Sequence, residues 1–167
     1  MAKKLFEIQT DKIVNGSRLM FENENLTSWS GDLTSLTNGN SMFCYCSQLE
    51  SFSSDLSSLT NGRWMFSSCS NLTSFSSDLS SLTSGTSMFS SCSNLTSFSS
   101  DLPSLTNGSG MFWYCSNLTS FSSDLRSLTD GFNMFQGCKL DAPSVKNIAL
   151  TINKTVTNNP TIHLGVD

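Results

Sequence analysis

Apolar residues in this chain fall on a fixed comb with a long period, separated by stretches of serine, threonine and asparagine. The phrase Met-Phe-x-x-Cys occurs at Met42-Phe43-Cys46, Met65-Phe66-Cys69, Met88-Phe89-Cys92, Met111-Phe112-Cys115 and Met134-Phe135-Cys138, each copy 23 residues after the last. Counted from the cysteine, leucine stands at +3, phenylalanine at +6, aspartate at +9, leucine at +10 and +13, glycine at +16, methionine at +19 and phenylalanine at +20. In the coil that begins at Cys69 these are Leu72, Phe75, Asp78, Leu79, Leu82, Gly85, Met88 and Phe89. An earlier copy fits from Asn23, with Trp29 in place of phenylalanine and no cysteine. A constant period of this length predicts a solenoid, in which each repeat is one coil that buries its apolar side only against its neighbours. A single coil has too little apolar surface to offset the entropy of ordering it, so stability must come from contacts between coils.

Within a coil, the segment Leu72-Thr-Ser-Phe75-Ser-Ser77 places one bulky residue among serines, which suits a short strand with an inward aromatic. In-register strands then form a parallel sheet, one strand per coil, spaced by ~4.8 Å. Asp78-Leu-Ser-Ser-Leu82 reads as a turn or short 3₁₀ helix capped by the aspartate. Gly39, Gly62, Gly85, Gly108 and Gly131 each follow Asn, Ser or Asp, and the expectation is a positive-φ residue where the coil reverses.

Both ends depart from the comb, as capping of an open stack requires. Residues 1–20 read as an N-terminal cap, a hairpin turning at Asn15-Gly16. Residues 21–140 are the solenoid of about five coils. Residues 141–167 read as a helix-plus-strand cap: Pro143 opens a helix with Val145, Ile148, Ala149 and Ile152 on one face, and Ile162, Leu164 and Val166 alternate as a strand.

Charge narrows the partners. Only 13% of residues are charged and the formal net charge is −4, so no basic field exists to hold nucleic acid or an anionic membrane surface. The start, MAKKLFEIQTDKIV, lacks the apolar run of a secretory signal, and no stretch reaches membrane-spanning length. The expectation is a soluble chain without membrane insertion; action outside a cell then requires a leader outside this sequence, another route, or lysis.

The aligned cysteines Cys46, Cys69, Cys92, Cys115 and Cys138 read as a column of buried thiols acting as small hydrophobes, although their spacing along the stack also lies in disulfide range. Cys44 has no partner arrangement that suits zinc, and the lone His163 stands far from the cysteines in sequence, which leaves no cysteine–histidine nucleophile. Asp32, Asp55, Asp78, Asp101 and Asp124 admit two readings, a cation ladder or a capping residue. Each precedes Leu-x-x-Leu, so capping accounts for every copy without a metal. The Asn-Leu-Thr sequons at Asn25, Asn71, Asn94 and Asn117 follow from the repeat itself, with asparagines expected to bond along the stack.

A 23-residue unit with cysteine, leucine three on, an apolar residue six on, glycine at +16 and phenylalanine at +20 resembles the BspA-type (treponemal) leucine-rich repeats, over Phe21 to Cys138. The resemblance implies a leucine-rich-repeat solenoid and a surface-displayed, non-catalytic module that binds host tissue, other bacteria or matrix without a cofactor. The chain departs from the family pattern in three places. Aspartate replaces the usual proline at +9, serine (Ser54, Ser77, Ser100, Ser123) replaces the apolar residue at +8, and methionine replaces alanine before phenylalanine.

The copies differ from one another mainly at +17, +18, +21 and +22, which flank Met-Phe. There the chain carries Tyr45, Arg63, Trp64, Trp113, Tyr114 and Phe132, aromatics and an arginine expected to face solvent, which suits sugar stacking or a protein hot spot; the alternative is that some fold back over the rod. The first functional expectation is recognition or adhesion to a cell-surface protein or glycan. The second is a phage virion component, in the tail or as a capsid accessory, with self-association into a larger particle. No acid–base pair, nucleophile or phosphate loop supports an enzyme.

Overall fold

The computed structural model describes residues 10–152. Five two-residue strands, β1 (Ser28–Trp29), β2 (Ser51–Phe52), β3 (Ser74–Phe75), β4 (Ser97–Phe98) and β5 (Ser120–Phe121), are followed by one helix, α1 (Ala142–Thr151). The strands are parallel and in register, β1 with β2 and β3 with β4 and β5, so that serine lies over serine and aromatic over aromatic. A second parallel ladder runs through Asn15, Asn38, Asn61, Ser84, Asn107 and Asp130. The chain is therefore a solenoid of 23-residue coils, as its comb predicts.

The interior is a zipper of two phenylalanine columns. Phe43, Phe66, Phe89, Phe112 and Phe135 stack nearly parallel at 5.4–5.6 Å between centroids. Phe52, Phe75, Phe98 and Phe121 stack beside them at 5.7–5.9 Å. The columns meet edge to face, as in Phe75–Phe89 at 4.7 Å, the arrangement that sets positive ring edges against negative faces. The repeat leucines from Leu33 to Leu128 and the repeat methionines, Met42 to Met134, complete a fully buried core.

Main-chain bonds lock each Met-Phe segment to its neighbours in an alternating pattern. The N–H groups of Gly62, Trp64, Phe66 and Ser68 donate forward to carbonyls of the next coil at 2.8–3.0 Å, whereas Met65, Ser67 and Cys69 donate three residues back within their own coil. This alternation requires left-handed backbone at +18 and +22. Ser41, Trp64, Ser87, Gly110 and Asn133 occupy the first position, and Tyr45, Ser68, Ser91, Tyr114 and Gly137 the second. Most are not glycine, so each such residue carries a cost of about 1–2 kcal/mol that the inter-coil bonds offset.

The conserved spacing of glycine at +16 has a different cause from the one expected. Gly39, Gly62, Gly85 and Gly108 do not have positive φ. They are glycine because the methionine of the following coil packs onto the backbone there: a Cβ on Gly62 would lie 2.8 Å from Met88 Sδ.

Asp32, Asp55, Asp78 and Asp124 cap turns by accepting from the N–H two residues on, whereas Asp101 does not, because Pro103 at that place has no N–H to donate. Ser80 N–H donates to Asp78 Oδ1 at 2.8 Å while Leu82 N–H bonds Leu79 O at 3.0 Å, a turn without a regular 3₁₀ helix. At +8, serine is tolerated because its hydroxyl can reach down the stack: Ser54 donates to Gly31 O, and Ser77 to Ser54 O at 2.8 Å. Ser123, at the last such position, has a buried Oγ with no partner among the described residues.

The Asn15-Gly16 pair does not turn a hairpin. Asn15 pairs parallel with Asn38, and Gly16, Arg18, Met20 and Glu22 donate to Asn38, Asn40, Met42 and Cys44 carbonyls at 2.8–3.0 Å, the same forward ladder as in every later coil. Residues 13–22 are thus part of a further coil, with Leu19-Met20 standing where Met-Phe stands elsewhere. Residues 1–9 and the expected strand at Ile162, Leu164 and Val166 lie outside the described residues.

Helix α1 begins where expected, with Asp141 as its N-cap accepting from Ser144 N–H at 2.8 Å and proline in its first turn. It covers the open edge of the sheet. Phe121 N–H, which has no next strand, donates to Ser144 Oγ at 2.8 Å, and Asn147 Nδ2 donates to Ser123 O at 2.9 Å. Ile148 packs into the core end.

Two substitutions test these assignments. Gly62→Ala is expected to destabilise the rod by about 1–3 kcal/mol, read from chemical denaturation, because Met88 must move within a filled core. Ser144→Ala is expected to cost about 1–3 kcal/mol by leaving the buried Phe121 N–H unpaired, with faster hydrogen exchange at Phe121 while coils near Phe66 keep their protection.

Candidate functional site

The residues that differ between coils crowd one lateral edge of the rod, beside the Met-Phe segments. Tyr45 and Tyr114 are each 51% exposed, Trp64 and Trp113 40%, and Phe132 55%, so none folds into the core. Trp64, Tyr45 and Tyr114 sit at left-handed positions, which holds each side chain on a backbone fixed by inter-coil hydrogen bonds.

Two clusters result. Near the N-terminal end, a cleft of about 290 Å³ is lined by Arg18, Phe21, Ser41, Cys44, Tyr45, Trp64 and Ser67. The Arg18 guanidinium lies 4.0 Å above the Phe21 ring, and Phe21 meets Tyr45 edge-on at 5.8 Å. Arg63 stacks on Trp64 in the same way, 4.0 Å from the ring centre. Two coils further along, Trp113 and Tyr114 pack at 4.8 Å, and Trp113 Nε1 donates to Gln136 Oε1 at 3.2 Å, which sets the orientation of the indole. Phe132 makes no ring contact among the described residues. The structure therefore brings Tyr45, Arg63 and Trp64 to one cluster and Trp113 and Tyr114 to another, and leaves Phe132 apart.

Arg18 and Phe21 belong to the first cluster but were not expected there, because residues 1–20 read as a separate cap, with the first coil counted from Asn23. The signal was available in the register: Ser17-Arg18 precedes Asn40-Ser41 by 23 residues, and Phe21-Glu22 precedes Cys44-Tyr45 by the same interval.

The cysteine column is buried and unbridged; all six thiols, Cys44 included, are free. Each column thiol donates to a carbonyl of the preceding coil, Cys69 to Phe43 O at 3.2 Å, Cys92 to Phe66 O at 3.1 Å, Cys115 to Phe89 O at 3.0 Å and Cys138 to Phe112 O at 3.2 Å. Cys46 reaches Met20 O of the first coil at 3.0 Å. Burial raises the pKa of the column thiols, that of Cys138 to about 12. Cys44, on the floor of the cleft, is raised for the same reason, partly countered by hydrogen bonding with Ser67 and by the Arg18 charge. These thiols are held as neutral donors, unsuited to nucleophilic work.

Asp32 and Asp78 are held below the ordinary carboxylate range by the hydrogen bonds they accept, Asp32 from Thr34 N–H and hydroxyl and Asp78 from the Ser80 hydroxyl and N–H. Asp124 instead pairs with Arg126. No cluster of three metal-ligating side chains occurs among the described residues, and His163 lies outside them. In the asparagine column at +2, Asn71 Nδ2 donates to Gln48 Oε1 at 3.3 Å.

Parallel coils, one short strand each, around a leucine- and phenylalanine-filled core with a variable lateral edge define a leucine-rich-repeat solenoid. The chain matches the BspA-type leucine-rich repeat region in six copies across residues 13–141, and it belongs to that family. No curated protein and no solved structure matches it significantly. The six copies include the coil that begins before Asn15, in agreement with the hydrogen-bond ladder. The family consists generally of interaction and adhesion modules, typically non-catalytic binding scaffolds.

The thiol column makes stability pH-dependent in a stated direction. A thiol whose folded pKa is raised contributes stability that is fully present below the unfolded value, ~8.5. That contribution is lost as pH rises toward the folded value, about 12 for Cys138. The midpoint of urea denaturation is expected to hold steady up to about pH 8 and fall above ~8.5, with a shallower fall in Cys92→Ala.

Proposed function

We propose that the chain is a recognition and adhesion module that binds a cell-surface protein or glycan through its lateral aromatic edge. One observation carries the reading: the side chains that vary between otherwise repeated coils include five large aromatics left 40–55% exposed on a rigid framework. Core positions need their residues for packing, whereas these positions do not, and exposed Trp and Tyr supply binding area at low entropic cost. Display at a cell surface or outside the cell accords with the family. Among the described residues no helix is long and apolar enough to cross a membrane, so the reading places the membrane outside this part of the chain.

The test is binding of the purified protein to immobilised surface proteins, matrix proteins, glycans and whole bacterial cells, beside a Trp64→Ala/Trp113→Ala double variant with unchanged circular dichroism. Selective binding is expected, weakened at least about tenfold in the double variant, since each hot-spot aromatic is worth ~2 kcal/mol or more. Binding that survives in the variant would move the site off this edge. Binding to nothing, with assembly of the protein into fibres, would overturn the reading in favour of a structural part of a virion.

A further inference from the structure

The two aromatic clusters lie on one edge, joined by a strip of small hydroxyl-bearing residues. Between Trp64 and Trp113 the variable positions hold Ser67, Ser68, Thr86, Ser87 and Ser91 with the buried Ser90 beneath them, followed by Ser109 and Gly110. No charged side chain interrupts these positions. The strip is a polar floor between raised aromatic walls, and its period is set by the core beneath it: successive phenylalanine rings along this column step by 5.4–5.6 Å. One coil therefore advances by about the length of one ring in an extended, equatorially linked polysaccharide. Tyr45 and Tyr114 occupy the same offset three coils apart, in phase with such a chain.

Charge distinguishes the two ends of the strip. The protein is acidic overall, yet the N-terminal cluster carries Arg18 and Arg63. Each guanidinium carbon lies over an aromatic ring, 4.0 Å from its centre, and neither side chain joins an ion pair among the described residues. A guanidinium held over a ring without an ion-pair partner keeps N–H donors for a carboxylate, which it can bind through two parallel hydrogen bonds. Glu22, near Cys44 in the same cluster, offsets only one of the two positive charges. Apolar ring faces for stacking, hydroxyls for the sugar rim and an unpaired guanidinium for a carboxylate are together what an acidic sugar requires.

Building on the recognition reading above, we propose that this edge binds an extended acidic glycan laid along the solenoid axis. A carboxylated sugar sits in the Arg18–Trp64 cleft, further rings cross the serine strip, and one stacks on Trp113. The ring-per-coil period and the hydroxyl floor favour a glycan over a protein partner, whose side chains would not repeat in phase with the coils.

The experiment titrates the intact chain, by tryptophan fluorescence and calorimetry, with three probes: hyaluronan fragments of increasing length (acidic, equatorially linked), chitin oligosaccharides (equatorially linked, uncharged) and polygalacturonate (acidic, axially linked). Hyaluronan fragments are expected to bind best, with affinity rising until the fragment reaches from Tyr45 to Trp113 and level beyond. Arg63→Ala and Arg18→Ala are each expected to weaken hyaluronan about tenfold and leave chitin unchanged, the loss of one charge-assisted contact. Trp113→Ala is expected to abolish the gain with length. Equal affinity for chitin or polygalacturonate, or affinity independent of length, would overturn the assignment. Absence of binding to all three probes beside selective capture of cells or matrix proteins would overturn this inference and leave the recognition reading standing; absence of both would remove the reading itself.

Discussion

Contact between successive coils, through stacked phenylalanines inside and forward hydrogen bonds along the Met-Phe edge, is the interaction on which every other feature of this protein depends. A lone coil exposes its leucines and leaves most of its backbone polar groups unpaired, because its strand is two residues long. Stacked, the same coil gains two stacked phenylalanine contacts and one edge-on contact to each neighbour, and four main-chain bonds to the next Met-Phe segment. The left-handed residues are a consequence: Trp64 and Ser68 hold an unfavourable φ because only that geometry aims alternate N–H groups at the following coil. The glycine at +16 and the thiol at position zero follow too. One clears space for the neighbour's methionine, and the other is small enough to sit in the core while donating to the neighbour's carbonyl.

An open stack has two ends that would otherwise expose unpaired strand edges. At the C-terminal end α1 supplies what a next coil would have supplied, with Ser144 Oγ accepting from Phe121 N–H and Ile148 closing the core. Toward the N-terminus, Trp29 meets Phe43 edge-on at 5.0 Å, so a broader ring begins the strand-side aromatic column. Its Nε1 is buried without a partner among the described residues.

Because the core is satisfied by positions that do not vary, the lateral edge is free to diversify at little cost to folding. Asn40 or Arg63 at +17 and Ser41 or Trp64 at +18 are carried by the same backbone. Rigidity helps a binding surface of this kind. An aromatic on backbone held from both adjacent coils loses little further freedom when it meets a ligand, and the Trp113–Gln136 bond orients its indole beforehand. Family membership describes the framework; the aromatics and arginines of the edge belong to this chain's own sequence.

Much of the architecture was legible because it is written in a period. The constant interval, the leucine and phenylalanine offsets and the aspartate before Leu-x-x-Leu each predict what is seen at Leu72, Phe75 and Asp78. Other properties depend on atoms from different coils and have no local signature. The role of Gly62 lies in Met88, 26 residues on, and that of Cys92 in the Phe66 carbonyl, 26 residues back. Asn15-Gly16 has the local chemistry of a hairpin turn, and only pairing with Asn38 makes it a rung of the stack. The same holds for the site. Sequence alone determined which residues vary and that Tyr45, Arg63, Trp64, Trp113, Tyr114 and Phe132 are the conspicuous ones. Tertiary structure decided that Arg18 and Phe21 join Tyr45 and Trp64 around one cleft while Phe132 stands apart, because neighbours across coils are set by the stacking register and not by distance along the chain.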